Sequence, residues 1–138
     1  MRKFLLILSL IILTKSAFSN SNVRLEISGV VDGKGKLYIS IFNSEKSFNK
    51  REIYQSKQII PSATTVFVEF ILPDGEYLIS VYQDINSNKK LDSNIIGIPK
   101  EPVGISRYDG KGAPGNFGKH KIIVDSNNNE VNIKLHSL

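Results

Sequence analysis

Asp84, Asn86, Asn88, Lys90 and Asp92 occupy alternate positions of the run Asp84-Ile-Asn-Ser-Asn-Lys-Lys-Leu-Asp92. In a tight coil, alternate residues converge on one point, and a hard cation such as calcium takes about 6–8 oxygen ligands. The run matches much of an oxygen-rich calcium loop. Asp84, Asn86 and Asn88 stand at its first, third and fifth positions. Lys90 offers a backbone carbonyl at the seventh, Leu91 is the apolar eighth, and Asp92 is the ninth. Lys89 replaces the glycine of the sharp turn, and Ile95 stands where a bidentate glutamate would close the site. Calcium affinity is therefore expected to be weak, unless Glu101 or Asp109 folds over the loop. The same side chains also cap turns by accepting their own backbone N–H groups, so an Asx-rich structural turn is the other reading.

The remaining candidates carry less. Gly110-Lys-Gly-Ala-Pro-Gly115 has dinucleotide-motif spacing but no strand before it and no helix after it, and it reads as a turn. His120 and His136 have no serine or carboxylate at a triad-like spacing and read as ordinary surface histidines. Lys100 and Glu101 read as a local ion pair. The chain has no cysteine, which excludes disulfides, thiolate metal sites, a cysteine nucleophile and a lipid-modified N-terminal cysteine.

Strands must position the acidic loop. Alternation of apolar and polar residues predicts strands over 23–31, 36–43, 54–60, 64–72, 76–83, 121–124 and 131–135. Their inward faces are Val23, Leu25 and Ile27; Leu37, Ile39 and Ile41; Val66, Val68, Phe70 and Leu72; and Tyr77, Ile79 and Val81. Asp32-Gly-Lys-Gly35 predicts a turn joining the first two runs as a hairpin, and Asp125 to Asn129 a turn in a closing hairpin. Pro73-Asp-Gly75 is a further turn, with proline presetting φ. Ser44 could cap one helical turn anchored by Phe48. Tyr38, Phe42, Phe67 and Tyr82 fall on the outward phase, covered by the long loop or a second layer, or else forming an exposed patch. Residues 84–119 lack a sustained period and form a long arm. Ile95 to Ile98 can be a short strand, and Ile95, Ile96, Ile98, Val103 and Ile105 argue that the arm lies on the sandwich. The expected fold is all-β: a seven-stranded antiparallel sandwich of prealbumin/Ig-like type, with the arm between the closing hairpin and the strand before it.

The first residues read as a targeting leader rather than fold. Arg2 and Lys3 precede an apolar run from Phe4 to Leu13, and Ala17-Phe-Ser19 supplies the small residues of a cleavage site. The expected domains are 1–19, a signal peptide, and 20–138, a single sandwich. Of 18 basic and 13 acidic side chains, only Arg2, Lys3 and Lys15 leave with the leader, so a net charge of +5 becomes +2. The basic balance is thus partly a targeting signal and does not point to nucleic acid.

From Val23 onward the sequence resembles a bacterial family known as domain of unknown function 2141. The resemblance is carried by Leu72-Pro-Asp-Gly-Glu-Tyr77, by Asp84-x-Asn-x-Asn-x-Lys-Leu-Asp92, by Gly97-Ile-Pro-Lys-Glu101, by Gly104-x-Ser106 and by Phe117. The family's loop glycine is Lys89 here, and the glycine that follows its glutamate is Pro102. The resemblance implies an exported single-domain protein of uncharacterised activity. The Leu-Pro-x-Gly-x-Tyr turn is also similar to that of transthyretin-like and collagen-adhesin B-type sandwiches, a likeness of fold only.

The expectation is a non-enzymatic module of the cell envelope, periplasmic or secreted, binding a protein or glycan partner. It carries no certain cofactor, a weak calcium loop at Asp84, Asn86, Asn88, Lys90 and Asp92 with Glu101 as a further ligand, and no stable membrane insertion after leader cleavage. The alternatives are a hydrolase-type enzyme using Asp84, Asp92, Glu101 and His120 on the arm, or a purely structural domain.

Overall fold

A computed structural model describes residues 19–138; the expected leader lies outside the described residues, apart from Ser19. The regular structure among the described residues is mostly strand. Its elements are β1 (Asn20–Ser28), β2 (Lys36–Phe42), α1 (Glu45–Lys50), β3 (Gln55–Ile59), β4 (Thr65–Pro73), β5 (Gly75–Asp84), β6 (Val103–Ile105), α2 (Phe117–His120), β7 (Ile122–Val124) and β8 (Glu130–Lys134). No helix among the described residues is long and apolar enough to cross a membrane.

Two sheets pack face to face. One has the order β4-β1-β8 and the other β3-β2-β5, with β6 and β7 sharing the far side of β5. β7 pairs with Gly75 to Tyr77, and β6 pairs with Ser80 to Tyr82. The alternating apolar residues of β1, β2, β4 and β5 meet between the sheets as expected, joined by Val124, Val131, Ile133 and Leu135. Leu25, Leu37, Ile41, Leu72 and Ile79 are fully buried there.

Three expectations of connectivity are corrected. Eight strands are present among the described residues rather than seven, because Val103 to Ile105 forms β6 while Ile95 to Ile98 projects as an exposed turn. The two expected hairpins do not form. β1 and β2 lie in different sheets, as do β7 and β8, so each turn crosses the core instead of joining hydrogen-bonded neighbours. The sandwich is not wholly antiparallel, since β1 and β8 run parallel. Alternation specifies which face of a strand is buried, and a crossing turn satisfies it as well as a hairpin does.

The outer face of the second sheet carries a smaller apolar cluster. Phe42, Leu78 and Phe117 are buried there, with Phe48 and Ile105 packed alongside. Phe48 reaches Phe42 from α1 edge-on, 5.4 Å between ring centroids. Ser44 caps α1 in a reciprocal capping box with Ser47. Tyr38 and Tyr82 stack across β2 and β5 at 4.9 Å. Phe67 alone of the four outward aromatics stays more than half exposed, under the Arg24 guanidinium.

Candidate functional site

Strand β5 ends in two buried polar residues, and these fasten the loops on either side. Gln83 accepts the Val31 N–H through Oε1 (2.8 Å) and donates through Nε2 to the Val31 and Lys34 carbonyls. This pins the crossing turn from β1 to β2, where Gly35 is indispensable: a Cβ there would stand 1.8 Å from the Asp84 carbonyl oxygen. Asp84, 1 % exposed, turns into the acidic loop. Its Oδ1 accepts the Asn88 N–H (3.1 Å) and its Oδ2 the Lys89 N–H (2.7 Å).

The loop that follows is a closed network. Asn86 Oδ1 accepts the Asn88 N–H and Asn88 Oδ1 the Lys90 N–H. Both amide nitrogens donate to Asp92 Oδ2, at 2.7 and 2.8 Å. Glu101, 5 % exposed, returns from the middle of the arm: Oε1 accepts the Ile85 N–H (3.0 Å) and Oε2 the Asp92 N–H (3.3 Å). Lys89 adopts φ +64°, the left-handed conformation for which glycine is the usual residue. The turn is therefore made despite the substitution.

The structure thus brings Asp84, Asn86, Asn88, Asp92 and Glu101 into one hydrogen-bonded unit, and Lys90 enters it through its N–H. Glu101 closes the loop where the sequence offers Ile95, whereas Asp109 is exposed and accepts the Lys111 N–H instead. The Lys111 N–H is the main cause that holds the Asp109 carboxyl below its ordinary range. Glu101 makes no ion pair with Lys100; the salt bridge among the described residues joins Lys121 to Glu76 at 2.8 Å. Among the described residues no three His, Cys, Asp or Glu side chains form a cluster able to hold a metal ion. Side-chain amides and backbone carbonyls would have to complete any calcium shell. Tyr82 packs nearby; burial raises its pKa first, and Tyr38, Asp84 and Glu101 add to this.

The second half of the arm is bound to the sandwich. Gly104 lies so close to β8 that a Cβ would meet Ile133 Cγ2 at 2.6 Å and the Lys134 carbonyl at 2.8 Å. Ser106, fully buried, accepts the Ile79 N–H and donates to the His120 carbonyl (2.7 Å). His120 is 1 % exposed, which corrects the surface expectation. Its Nε2 accepts the Gly115 N–H (3.0 Å) and its Nδ1 lies 3.2 Å from the Ser106 carbonyl. Tyr108 stands edge-on between His120 and His136, 5.8 Å from each ring. Ser106 and His120 therefore hold backbone, and neither side chain approaches the other as nucleophile and base would. The burial of His120 was not readable because α2 is a single turn that itself contains Gly118 and Lys119. The glycine-rich run Gly110 to Gly115 is the turn the sequence suggests, with Gly110 against the His136 ring.

A second candidate lies between the edges of the two sheets. A cleft of about 710 Å³ is lined by Asn127, Asn128, Asn132, Glu130, Arg107 and Lys121 over Ile122, Ile123 and Val131. Arg24 N–H donates to the Asn129 carbonyl and Leu135 N–H to the Ser28 carbonyl. Odd-numbered residues of β8 therefore face β1, and Glu130 and Asn132 turn their backbone groups the other way. Sequence reasoning missed this cleft because it read β7 and β8 as paired.

Residues 25–132 match the model of a family described as an uncharacterized protein conserved in bacteria, DUF2141, and the chain belongs to that family. No curated protein and no solved structure matches it.

Proposed function

We propose, from membership of that family and the geometry above, that the chain is an exported, non-enzymatic β-sandwich module of the cell envelope, prealbumin/Ig-like in type, that holds an extended peptide or glycan. The observation that carries this reading is the engagement of each candidate acid–base group. Asp84 and Glu101 each accept two backbone N–H groups, His120 is held by backbone on both ring nitrogens, and Asp92 Oδ2 takes two side-chain amides. A general acid or base must reach its substrate's proton, and Asp84, Glu101 and His120 face the protein's own chain.

The cleft between β7 and β8 suits an extended ligand. An unpaired strand edge offers backbone donors and acceptors, and carboxamides with an apolar floor add side-chain recognition. Calcium, on this proposal, stiffens the arm by weak coordination at Asp84, Asn86, Asn88, Lys90 and Asp92, with Glu101 adjacent. The test is retention of the chain from Asn20 onward on isolated cell-wall polysaccharide and on immobilised envelope proteins. Asn132→Pro removes an N–H from the cleft edge and should abolish retention, while Glu101→Gln should not. Retention unchanged by Asn132→Pro and Arg107→Ala, or chemical turnover of the retained partner, would overturn the proposal.

A further inference from the structure

The first half of the arm, unlike the second, leaves the sandwich. Residues 92–100 form a small hairpin of their own: Lys100 N–H donates to the Asp92 carbonyl, Asn94 N–H to the Ile98 carbonyl and Gly97 N–H to the Asn94 carbonyl. Asn94 Oδ1 accepts the N–H groups of both Ile96 and Ile98, at 3.0 Å each, which fixes the turn. At its end Ile95 is fully exposed and Ile96 is 76 % exposed. Twelve large apolar side chains are exposed among the described residues, and five of them, Ile85, Leu91, Ile95, Ile96 and Ile98, fall in this one stretch. A cluster of that kind marks a surface that meets something other than water.

Charge says what it meets. The exposed formal charges between residues 85 and 100 are Lys89, Lys90 and Lys100. The carboxylates of Asp84 and Glu101 are buried on backbone N–H groups, and Asp92 is half-buried beneath two carboxamides. The outward aspect of residues 84–101 is therefore cationic although their formal charge is balanced. The lysines sit at the base of the hairpin and in the loop before it; the isoleucines sit at the tip. Three to four extended residues separate the two levels, roughly 10 Å. Apolar groups that enter a bilayer interface lie about 5–10 Å deep, with lysines at the headgroups. A protein partner is more often anchored by aromatic residues or arginine, and the tip has neither.

We propose that the Ile95–Ile96 tip, collared by Lys89, Lys90 and Lys100, docks the domain reversibly on an anionic lipid surface. This is separate from the cleft and does not require calcium. Attraction between the lysines and the headgroups brings the tip down, and burial of the isoleucines holds it there. The experiment is co-sedimentation of the chain from Asn20 onward, which contains every described element, with protein-free vesicles of phosphatidylglycerol and phosphatidylethanolamine. Vesicles of phosphatidylcholine alone serve as the neutral comparison.

The chain should partition onto the anionic vesicles and fall off as salt is raised. Replacing Ile95 and Ile96 together by serine should lower the partition coefficient by about tenfold or more, and so should replacing the three lysines by glutamine. Because these side chains are exposed, thermal midpoints should stay where they were, which separates lost docking from lost fold. Equal sedimentation with neutral and anionic vesicles would overturn the proposal, as would indifference to the isoleucine replacement. Retention on envelope proteins but not on protein-free vesicles would overturn it in favour of a protein partner.

Discussion

At the scale of single residues, Glu101 and Lys89 decide how the acidic loop is held. Glu101 is the carboxylate that closes the loop from outside it. Glu101→Ala leaves the Ile85 and Asp92 N–H groups without their acceptor. The expected loss is about 1–3 kcal/mol for each N–H that water does not reach, read from denaturant midpoints. Lys89→Gly should act in the opposite direction. The left-handed conformation costs a side chain about 1–2 kcal/mol, and glycine returns about 0.5–1 kcal/mol of that as chain entropy. A gain of roughly 0.5–1 kcal/mol is the expected outcome, measured in the same way. Asp84, Asn86, Asn88 and Asp92 were legible as a group because their spacing is itself the geometry of a coil. The role of Glu101 was only half legible, since eight residues of hairpin stand between it and Asp92. His120 was not legible at all: its burial depends on β6 and the Gly110 to Gly115 turn folding over it, and no local pattern announces that.

At the scale of elements, the acidic loop and the β7–β8 turn give separate tests. If the loop takes calcium as proposed, a Kd on the order of 10⁻⁴–10⁻³ M follows from its few carboxylates. Millimolar calcium should then raise stability by roughly 1 kcal/mol, and magnesium by less, because magnesium demands near-ideal octahedral geometry. Thermal melts in calcium, magnesium or chelator at matched ionic strength check this, and Asp84→Ala should remove the calcium-dependent part. In the β7–β8 turn, Asp125 accepts the Asn128 side-chain amide and the Asn127 and Asn128 N–H groups. The Asn128 amide is the larger cause holding its carboxyl below the ordinary value. A depressed pKa means that the unfolded chain binds this proton more readily. The contribution to stability is thus complete above the ordinary Asp range and disappears as pH falls through the lowered value. An NMR titration of the Asp125 carboxyl should show a midpoint below that of a model peptide, and Asn128→Ala should move it back up. The elements themselves were legible wherever a strand alternates over five residues or more. β6, three residues long with glycine at its centre, gave no such signal. Nor could alternation name a strand's neighbours, which is why both expected hairpins proved to be crossings between sheets.

At the scale of the whole molecule, stability rests on the layer between the sheets. Leu25→Ala in the central strand of the smaller sheet should cost about 2–5 kcal/mol in equilibrium unfolding. Val68→Asp should cost at least as much, because it buries an unpaired carboxylate. Glu69→Gln, one position along the same strand but exposed, should stay within about 0.5 kcal/mol. The position of β1 has a further consequence, for the order of events in time. β1 is the first described strand to be synthesised, yet one of its two neighbours is β8, the last, and the parallel pairing of residues 24–28 with 130–134 spans more than a hundred residues. A long chain segment must be closed into a loop before that pairing can form, so folding should be slow, on the order of milliseconds to seconds. A nascent chain still lacking residues 130–134 has its smaller sheet open along one edge and its core exposed to water. Stopped-flow refolding should be single-exponential and slow, and truncation after residue 129 should leave a chain that does not fold cooperatively. For the export proposed above, this delay is an interval in which the growing polypeptide remains threadable.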